Sequence, residues 1–481
     1  MSLLLFIEII YVLVVLAVIV KIILDTDDSV KAAAYILLVA VLPVIGIAVY
    51  FTVGLNFRKK ELYSRKLQLN KNQGEEVEKF IEVYRHEGNV NLENAYPDFY
   101  KINRLFPHVP LGFSTQKNEV ALLRNGEEKF PELLAILESA QHHIHLEYYI
   151  YENDKIGNEV ADILIKKSNE GVQVRFIYDD FGSRSIRKTI VPKLKKSGIK
   201  VFAFYKFKLF RVANRLNYRN HRKIVIIDGE TAFMGGINIS DKYDNSKQNK
   251  LYWRDTHLKI KGEAVWSLQN IFIADWNFCS GENLGVEAMF FKRDFAIHNS
   301  QWTQIVSSGP DFERPDGLHG YLQAIESAKE SIFITTPYFI PPKELLTALK
   351  KAAISGIDVR LLAPGVSDSY IVNAVSKSYF GELLECGVRI YQYEKGFVHA
   401  KTMVCDRQLS IVGTTNLDQR SFELNFEVNA IVYDQQVAED LKDMCLDDVK
   451  YAKEIEAEEW MQRAKLSRII EKTIRVFGPL M

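Results

Sequence analysis

The sequence predicts an α/β protein made of two tandem halves related by a pseudo-twofold, preceded by a two-helix transmembrane hairpin. Three observations predict it. From about residue 113 onward the chain repeats itself; within the repeat, helical segments alternate with short β-branched runs; and two long apolar stretches open the sequence.

The apolar stretches come first. Ser2 to Leu24 carries only Glu8 and Lys21 as charges, and Ala32 to Phe57 carries none. At ~1.5 Å per helical residue, each is long enough to cross ~30 Å of hydrocarbon. Arg58, Lys59, Lys60, Arg65, Lys66 and Lys71 follow, opposed only by Glu61. The positive-inside rule therefore puts residue 58 onward in the cytoplasm, and two crossings return the amino terminus to the same side. A cleaved leader fits poorly, because no basic segment precedes the apolar run, no A-x-A site closes it and a second span follows directly. Glu8 lies near its helix end, where snorkelling to the interface accounts for it. Residues 1–57 are thus expected to form two membrane helices, with the body on the cytoplasmic side. Residues 58–112 are expected to form a charged linker that breaks up around Pro97, Pro107 and Pro110.

Composition bounds the rest. The 481 residues are 47% hydrophobic and 25% charged, a globular balance with material for a large core. Sixty-one Lys and Arg against sixty-one Asp and Glu leave no net charge, which speaks against a nucleic-acid partner. The four cysteines show no CxxC spacing, so neither a disulfide framework nor a structural zinc site has support. His142, His143 and His145 have no further ligand at zinc spacing and read as ordinary strand and helix-end residues; no metal or other cofactor is expected.

The repeat defines the body. Ile136 to Tyr151 has a counterpart in Ala324 to Phe339, each a helix end followed by an alternating strand. Gly171-Val-Gln-Val-Arg-Phe176 matches Gly356-Ile-Asp-Val-Arg-Leu361, a glycine helix stop and then a buried strand. Such alternation implies a mainly parallel sheet in each half, 113–298 and 299–481, with a cleft where the halves meet.

Within the repeat, His221, Lys223, Asp228, Gly235 and Asn238 answer to His399, Lys401, Asp406, Gly413 and Asn416. Measured from each histidine the offsets are 2, 7, 14 and 17 in both halves. Residues i and i+2 of a strand face the same way, so each His and its Lys project into one space. Facing halves would converge two His, two Lys and two Asn on one spot. That is a pocket for a phosphoryl group, with Lys and Asn on the equatorial oxygens and the imidazoles placed for in-line attack and departure. Asp228 and Asp406 belong to the repeated set and are candidates for the chemistry. An Asp-Gly at a strand end is also a turn former, and spacing alone does not separate the two roles.

The constellation resembles the HKD motif of the phospholipase D superfamily, over essentially the whole chain after residue 113. Tyr218-Arg-Asn-His-Arg-Lys223, Met234-Gly-Gly-Ile-Asn-Ile-Ser-Asp241, Tyr252-Trp-Arg-Asp-Thr-His257, Thr336-Pro-Tyr-Phe-Ile-Pro341, Gly396-Phe-Val-His-Ala-Lys-Thr402 and Gly413-Thr-Thr-Asn-Leu-Asp-Gln-Arg-Ser-Phe-Glu-Leu-Asn-Phe-Glu427 are similar to bacterial cardiolipin synthases. The resemblance implies two phospholipase D-like halves and metal-independent phosphatidyl transfer between two phosphatidylglycerol molecules, giving cardiolipin and glycerol. It implies His221 as nucleophile, forming a phosphatidyl-histidine, and His399 as acid/base. It also implies that Asp255 and Glu427 orient the imidazoles, across the two halves. A phospholipase D-type hydrolase, or a phosphatidyltransferase using another alcohol, stays open as the alternative. Lys206, Lys208, Arg211, Arg215 and Arg219, interleaved with aromatics, suit an anionic headgroup layer or, equally, a solvated basic helix or a phosphate-steering loop. Oligomeric state is not legible.

Overall fold

The computed structural model describes residues 3–26, 29–53, 92–106, 109, 111–204, 218–247, 249–312, 314–475 and 478. Most of the expected 58–112 linker and residues 205–217 of the basic-aromatic stretch lie outside them.

Two compact units are described separately. The first contains α1 (Leu3–Asp25), α2 (Ser29–Val41) and α3 (Pro43–Val53). α1 is long and apolar enough to cross a membrane, with a mean hydropathy of 2.9 over its most apolar window. The second apolar stretch departs from the expected single span. Proline has no N–H to give and disfavours helix at the residue before it, so the stretch breaks at Leu42 and Pro43. α3 then returns along α2. The rings of Tyr35 and Tyr50 lie 5.6 Å apart, whereas a straight helix would separate them by about 22 Å. Gly46 makes the return possible, since a Cβ there would run into the backbone of Val39.

The second unit contains two sheets built on one plan. The first uses β1 (Asn118–Arg124), β2 (His143–Tyr148), β3 (Gln173–Tyr178), β4 (Lys200–Ala203), β5 (Lys223–Ile227), β6 (Thr231–Gly235) and β8 (Thr256–Gly262), while β7 (Tyr252–Arg254) stands apart. Their order is β1-β8-β6-β5-β2-β3-β4. The second uses β9 (Trp302–Ser308), β10 (Ser331–Thr335), β11 (Asp358–Pro364), β12 (Arg389–Tyr393), β14 (Thr402–Cys405), β15 (Leu409–Gly413), β16 (Glu427–Tyr433) and β17 (Ala452–Glu454), with β13 (Gly396–Val398) apart. Read from β9, its order is β9-β16-β15-β14-β10-β11-β12, the first order repeated, with β17 added at the edge.

Each sheet is mixed, which corrects the mainly parallel expectation. Only β2-β3-β4 and β10-β11-β12 run parallel; the strands on the histidine side are antiparallel. The cause is the three-residue connections 228–230 and 406–408, too short for anything but hairpins.

The parallel part follows the expected helix-strand alternation. α4 (Asn125–Ser139) places Phe130, Leu133 and Leu137 on one face against the first core. α5 (Lys155–Asn169) starts at Asp154, whose carboxylate accepts the Gly157 amide at 3.0 Å. α6 (Ala264–Ser280) follows β8. In the second half α7 (Asp316–Ser327), α8 (Lys343–Ile354), α9 (Tyr370–Leu384) and α10 (Gln435–Val449) repeat the scheme. Gly171 and Gly356, with φ of 95° and 92°, make the left-handed turns into β3 and β11. Each half keeps its own apolar core, one around Ile144, Phe176 and Val225 and the other around Ile332, Leu361 and Ile411.

Candidate active site

The halves are joined where their chemistry is. β7 of the first half pairs in parallel with β13 of the second, Val398 opposite Arg254, and Asn220 bridges to Phe426 in the same sense. The backbone amide of His221 donates to the Phe426 carbonyl at 2.9 Å, and that of His399 to the Arg254 carbonyl at 2.7 Å. The residue after each of these carbonyls is an acid. Backbone pairing therefore delivers to each histidine a carboxylate from the opposite half.

His221 Nδ1 lies 2.9 Å from Glu427 Oε2, and His399 Nδ1 lies 2.7 Å from Asp255 Oδ2. With Nδ1 donating to a carboxylate, Nε2 of each ring carries the lone pair. The side chains are 9% and 10% exposed, so a reacting group must enter a cleft to meet them. Tyr149 stands edge-on to His221 with ring centres 4.9 Å apart. Trp253, Phe397 and Tyr243 surround His399 at 5.5, 5.7 and 5.9 Å.

Lys223 and Lys401 are fully buried beside the rings. Lys223 Nζ donates to the His221 carbonyl; Lys401 Nζ donates to the His399 carbonyl and lies 2.9 Å from His399 Nδ1. Burial pulls Lys223 down to about 7, helped by the charge of Lys401, and pulls Lys401 down to about 8 against Asp255. Burial also drives His221 down to about 4 despite Glu427, and His399 well below its ordinary value, with Lys401 and Lys223 adding to the effect. Burial lifts Asp255 to about 6. It would lift Glu427 as well, but His221 and Lys223 outweigh it and hold that carboxyl below its usual range.

The repeated asparagines follow β6 and β15. Asn238 accepts the Ile150 amide at 3.1 Å and donates to the Tyr243 hydroxyl at 2.7 Å. The Oδ1 of Asn416 is buried with no hydrogen-bond partner among the described residues.

Asp228 and Asp406, taken above with the catalytic set, are not at this site. Each stands at the far end of its strand, ~3.3 Å per residue away from the histidine. Asp228 accepts the amides of Gln141, His142 and His143 at 2.8, 2.7 and 2.9 Å. Asp406 accepts those of Lys329, Glu330 and Ser331 at 2.6, 2.8 and 2.8 Å. Their φ of 54° and 52° mark them as turn residues. The role open in the sequence is thus the structural one: each clamps the hairpin tip to the start of the neighbouring strand. His143 and His145, buried on β2, contact the Gln269 side chain, and among the described residues no set of three metal-ligating side chains occurs.

Sequence reasoning missed two buried arginines. Arg222 pairs with Asp275 on α6 and donates Nε to the Glu427 carbonyl at 3.2 Å. Arg254 holds Asp448 on α10 at 2.7 Å and donates to the Asp255 carbonyl. Each acid facing a histidine thus has its own backbone held by a guanidinium. The available signal was an arginine directly beside a candidate site residue, in His221-Arg222-Lys223 and in Arg254-Asp255.

Comparison with known proteins follows the same division. The family described as "Cardiolipin synthase, PLD-like domain" matches twice, over residues 133–276 and 321–447, one match in each half. The chain belongs to the phospholipase D-like cardiolipin synthase family. Membership makes it a phosphatidyltransferase of phospholipid biosynthesis, as the motifs implied. Relatives include cardiolipin synthase 2 of Bacillus anthracis, 40% identical over 95% of this chain and 88% of that protein. The major cardiolipin synthase of Bacillus subtilis (strain 168) is 38% identical over 98% of both. Among solved structures, the phosphatidylserine synthase of Haemophilus influenzae Rd KW20 superposes with a TM-score of 0.59 at 14% identity, over 75% of this chain and 95% of that one. A polyphosphate kinase from Porphyromonas gingivalis reaches 0.50 at 12%, over 71% and 49%. At those identities the likeness is one of fold.

Proposed function

We propose that this member of the family moves a phosphatidyl group from one phosphatidylglycerol to the headgroup hydroxyl of another, through a phosphatidyl-histidine and without a metal ion. The observation that carries the reading is the pair of buried imidazoles, each with Nδ1 committed to a carboxylate and Nε2 turned over to chemistry. In the first step His221 Nε2 bonds to phosphorus, the bond to the glycerol oxygen breaks, and His399 gives that oxygen a proton. In the second, His399 takes the proton of the incoming hydroxyl, the new P–O bond forms and the P–N bond breaks. Lys223, Lys401, Asn238 and Asn416 hold the phosphoryl oxygens.

The assignment of His221 as nucleophile and His399 as acid/base follows the family's pattern. Purified protein given labelled phosphatidylglycerol in mixed micelles should release cardiolipin and glycerol in equal amounts, and should do so in excess EDTA at constant ionic strength. Phosphatidate in place of cardiolipin would make it a hydrolase.

The reading also locates the protein in the bacterial cytoplasmic membrane with its body on the cytoplasmic side, supported by the basic run from Arg58 to Lys71. α1 supplies one crossing. The multi-pass arrangement requires α2 and α3 to open at Pro43 into a second, which accessibility labelling of Asp27 and Asp28 replaced by cysteine would read.

A further inference from the structure

The two histidines lie in a cleft, but their substrate is a lipid with its chains in a bilayer, so the mouth of the cleft has to meet that bilayer. β3 and β11 are equivalent strands, and the loops at their carboxyl ends are equivalent too: Phe181 and Val366 both stand ten residues past their turn glycines, Gly171 and Gly356. Polar residues are the rule in such loops. Here Phe181 is 36% exposed and Val366 44%, and α9 opens with Tyr370 and Ile371 at 85% and 53%. Scattered exposed apolar residues are ordinary. Two of them on symmetry-related loops, and two more at the start of the helix that follows one loop, are not scattered.

Both loops lead directly to the chemistry. In the first half Asp179, two residues before Phe181, accepts the amide of Asn220 at 3.2 Å, next to His221. In the second, Asp368 accepts the Tyr338 hydroxyl at 2.7 Å; the Tyr338 ring lies 6.3 Å from Phe397, which lies 5.7 Å from His399. Cations stand beside the apolar groups. The Phe181 ring has the Arg184 guanidinium at 3.8 Å and that of Arg219 at 4.3 Å, and Lys242 lies 4.4 Å from the Trp253 ring near His399. Apolar tips with cations at their base suit acyl chains beneath an anionic headgroup layer.

We propose that Phe181, Val366, Tyr370 and Ile371 form a rim that inserts into an anionic bilayer and seats the mouth of the cleft on it, so that a lipid phosphate reaches the histidines while its chains stay in apolar surroundings. The proposal rests on the reading of the site as a phosphatidyltransferase. It adds a seating surface on the catalytic body, separate from the apolar helices at the amino terminus.

The test uses the full chain in phosphatidylglycerol vesicles whose acyl chains carry bromine, a contact quencher of tryptophan. The fluorescence added by Tyr370→Trp or Phe181→Trp should be quenched at least twofold. That added by Ile354→Trp, a 71% exposed position at the opposite end of β11, should be unchanged. A second measurement compares vesicle substrate with a short-chain phosphatidylglycerol dispersed as monomers. Tyr370→Ser with Ile371→Ser should lower the ratio of vesicle to monomer turnover at least tenfold, and Ile354→Ser should leave it as in the wild type. No quenching at 370, equal quenching at 354, or an unchanged ratio would overturn the rim; a protein-contact face would give the first of these. If the wild type makes no cardiolipin from either substrate, the catalytic reading fails, and the quenching result still decides whether this face meets a membrane.

Discussion

The half that carries His221 and the half that carries His399 set their imidazoles just ahead of equivalent strands, β5 and β14, yet they supply each with a different carboxylate. Glu427 reaches His221 from eleven residues past Asn416; Asp255 reaches His399 from seventeen past Asn238. The longer side chain passes Thr414, whose hydroxyl helps hold Glu427 as an anion. At the position equivalent to Thr414 stands Gly236, and a Cβ there would overlap the Asp255 carboxylate. A short acid and a missing side chain thus do on one side what a long acid and a hydroxyl do on the other. The arginines have changed places in the same way. Arg222 sits between His221 and Lys223, where the other half has Ala400; Arg254 precedes Asp255, where the other half has Phe426. Duplication preserved the frame that aims the histidines, and divergence went into where the protons rest.

The sharpest way to break this comparison is to remove each histidine in turn. His221→Ala and His399→Ala should each lower turnover by about 10³-fold or more, since each takes away a whole role. A phosphatidyl ester of p-nitrophenol separates the roles, because its leaving group, with a pKa of roughly 7, departs without acid help. With it, His399→Ala should release one equivalent of nitrophenolate and stall with the lipid on His221; His221→Ala should release none. The opposite pattern would exchange the two assignments.

Next come the carboxylates. Glu427→Gln and Asp255→Asn should each cost about 10²-fold, within the range of a lost acid-base partner. Only Asp255→Asn should remove the acid limb of the pH profile. The sign follows from its raised value: below about 6 the Asp255 carboxyl keeps its proton and cannot stabilise an imidazolium on His399, so activity rises with pH through that value. The alkaline limb belongs to the lysines. An anionic substrate favours their charged forms, so kcat/KM should fall as pH rises past about 7 and 8, where Lys223 and Lys401 lose their protons.

How much of this was legible in sequence depends on distance along the chain. The His-Lys pairs were, because the same spacing recurs in both halves, although His221, His399 and Lys401 stand just ahead of β5 and β14 rather than within them. The carboxylates were placed by family resemblance alone: 206 and 144 residues separate them from their histidines, and only pairing between β7 and β13 or at Asn220 and Phe426 brings them in. Arg222 and Arg254 were visible as residues but not as parts of the site, since their partners Asp275 and Asp448 sit on helices with no local mark. Strand direction was misjudged because the parallel units were read as the whole sheet, although Asp228-Gly229 already signalled a hairpin. Pro43 was likewise in view within an apolar run that reads as one span by hydropathy.

A smaller effect probes the two ways of fitting an acid. Gly236→Ala should push Asp255 off His399 and lower kcat by about 10- to 100-fold, the scale of a misplacement of about 1 Å. Thr414→Ala, on the other side, removes a hydroxyl that helps hold Glu427 as an anion and also bonds the Val428 backbone, and should cost less than about tenfold. Equal losses would mean that the glycine is needed only for the fold.

The smallest effect on turnover belongs to the two residues that the repeat groups with the catalytic set and the structure removes from it. Asp228 and Asp406 each accept three backbone amides that would otherwise be left open at the start of β2 and β10. Asparagine is the informative replacement: it tolerates the left-handed backbone at these positions and keeps one acceptor oxygen, so the change isolates the charge and the second acceptor. Hydrogen bonds to a charged group are worth about 1.5–3 kcal/mol each, and Asn retains part of them. A loss of about 2 kcal/mol would lower the melting midpoint by about 4–8 °C for a half of this size. Turnover per folded molecule should stay within about twofold, because the histidine lies at the other end of the strand. Loss of turnover at an unchanged melting midpoint would instead return the aspartates to the chemistry, and with them the literal reading of the repeated motif.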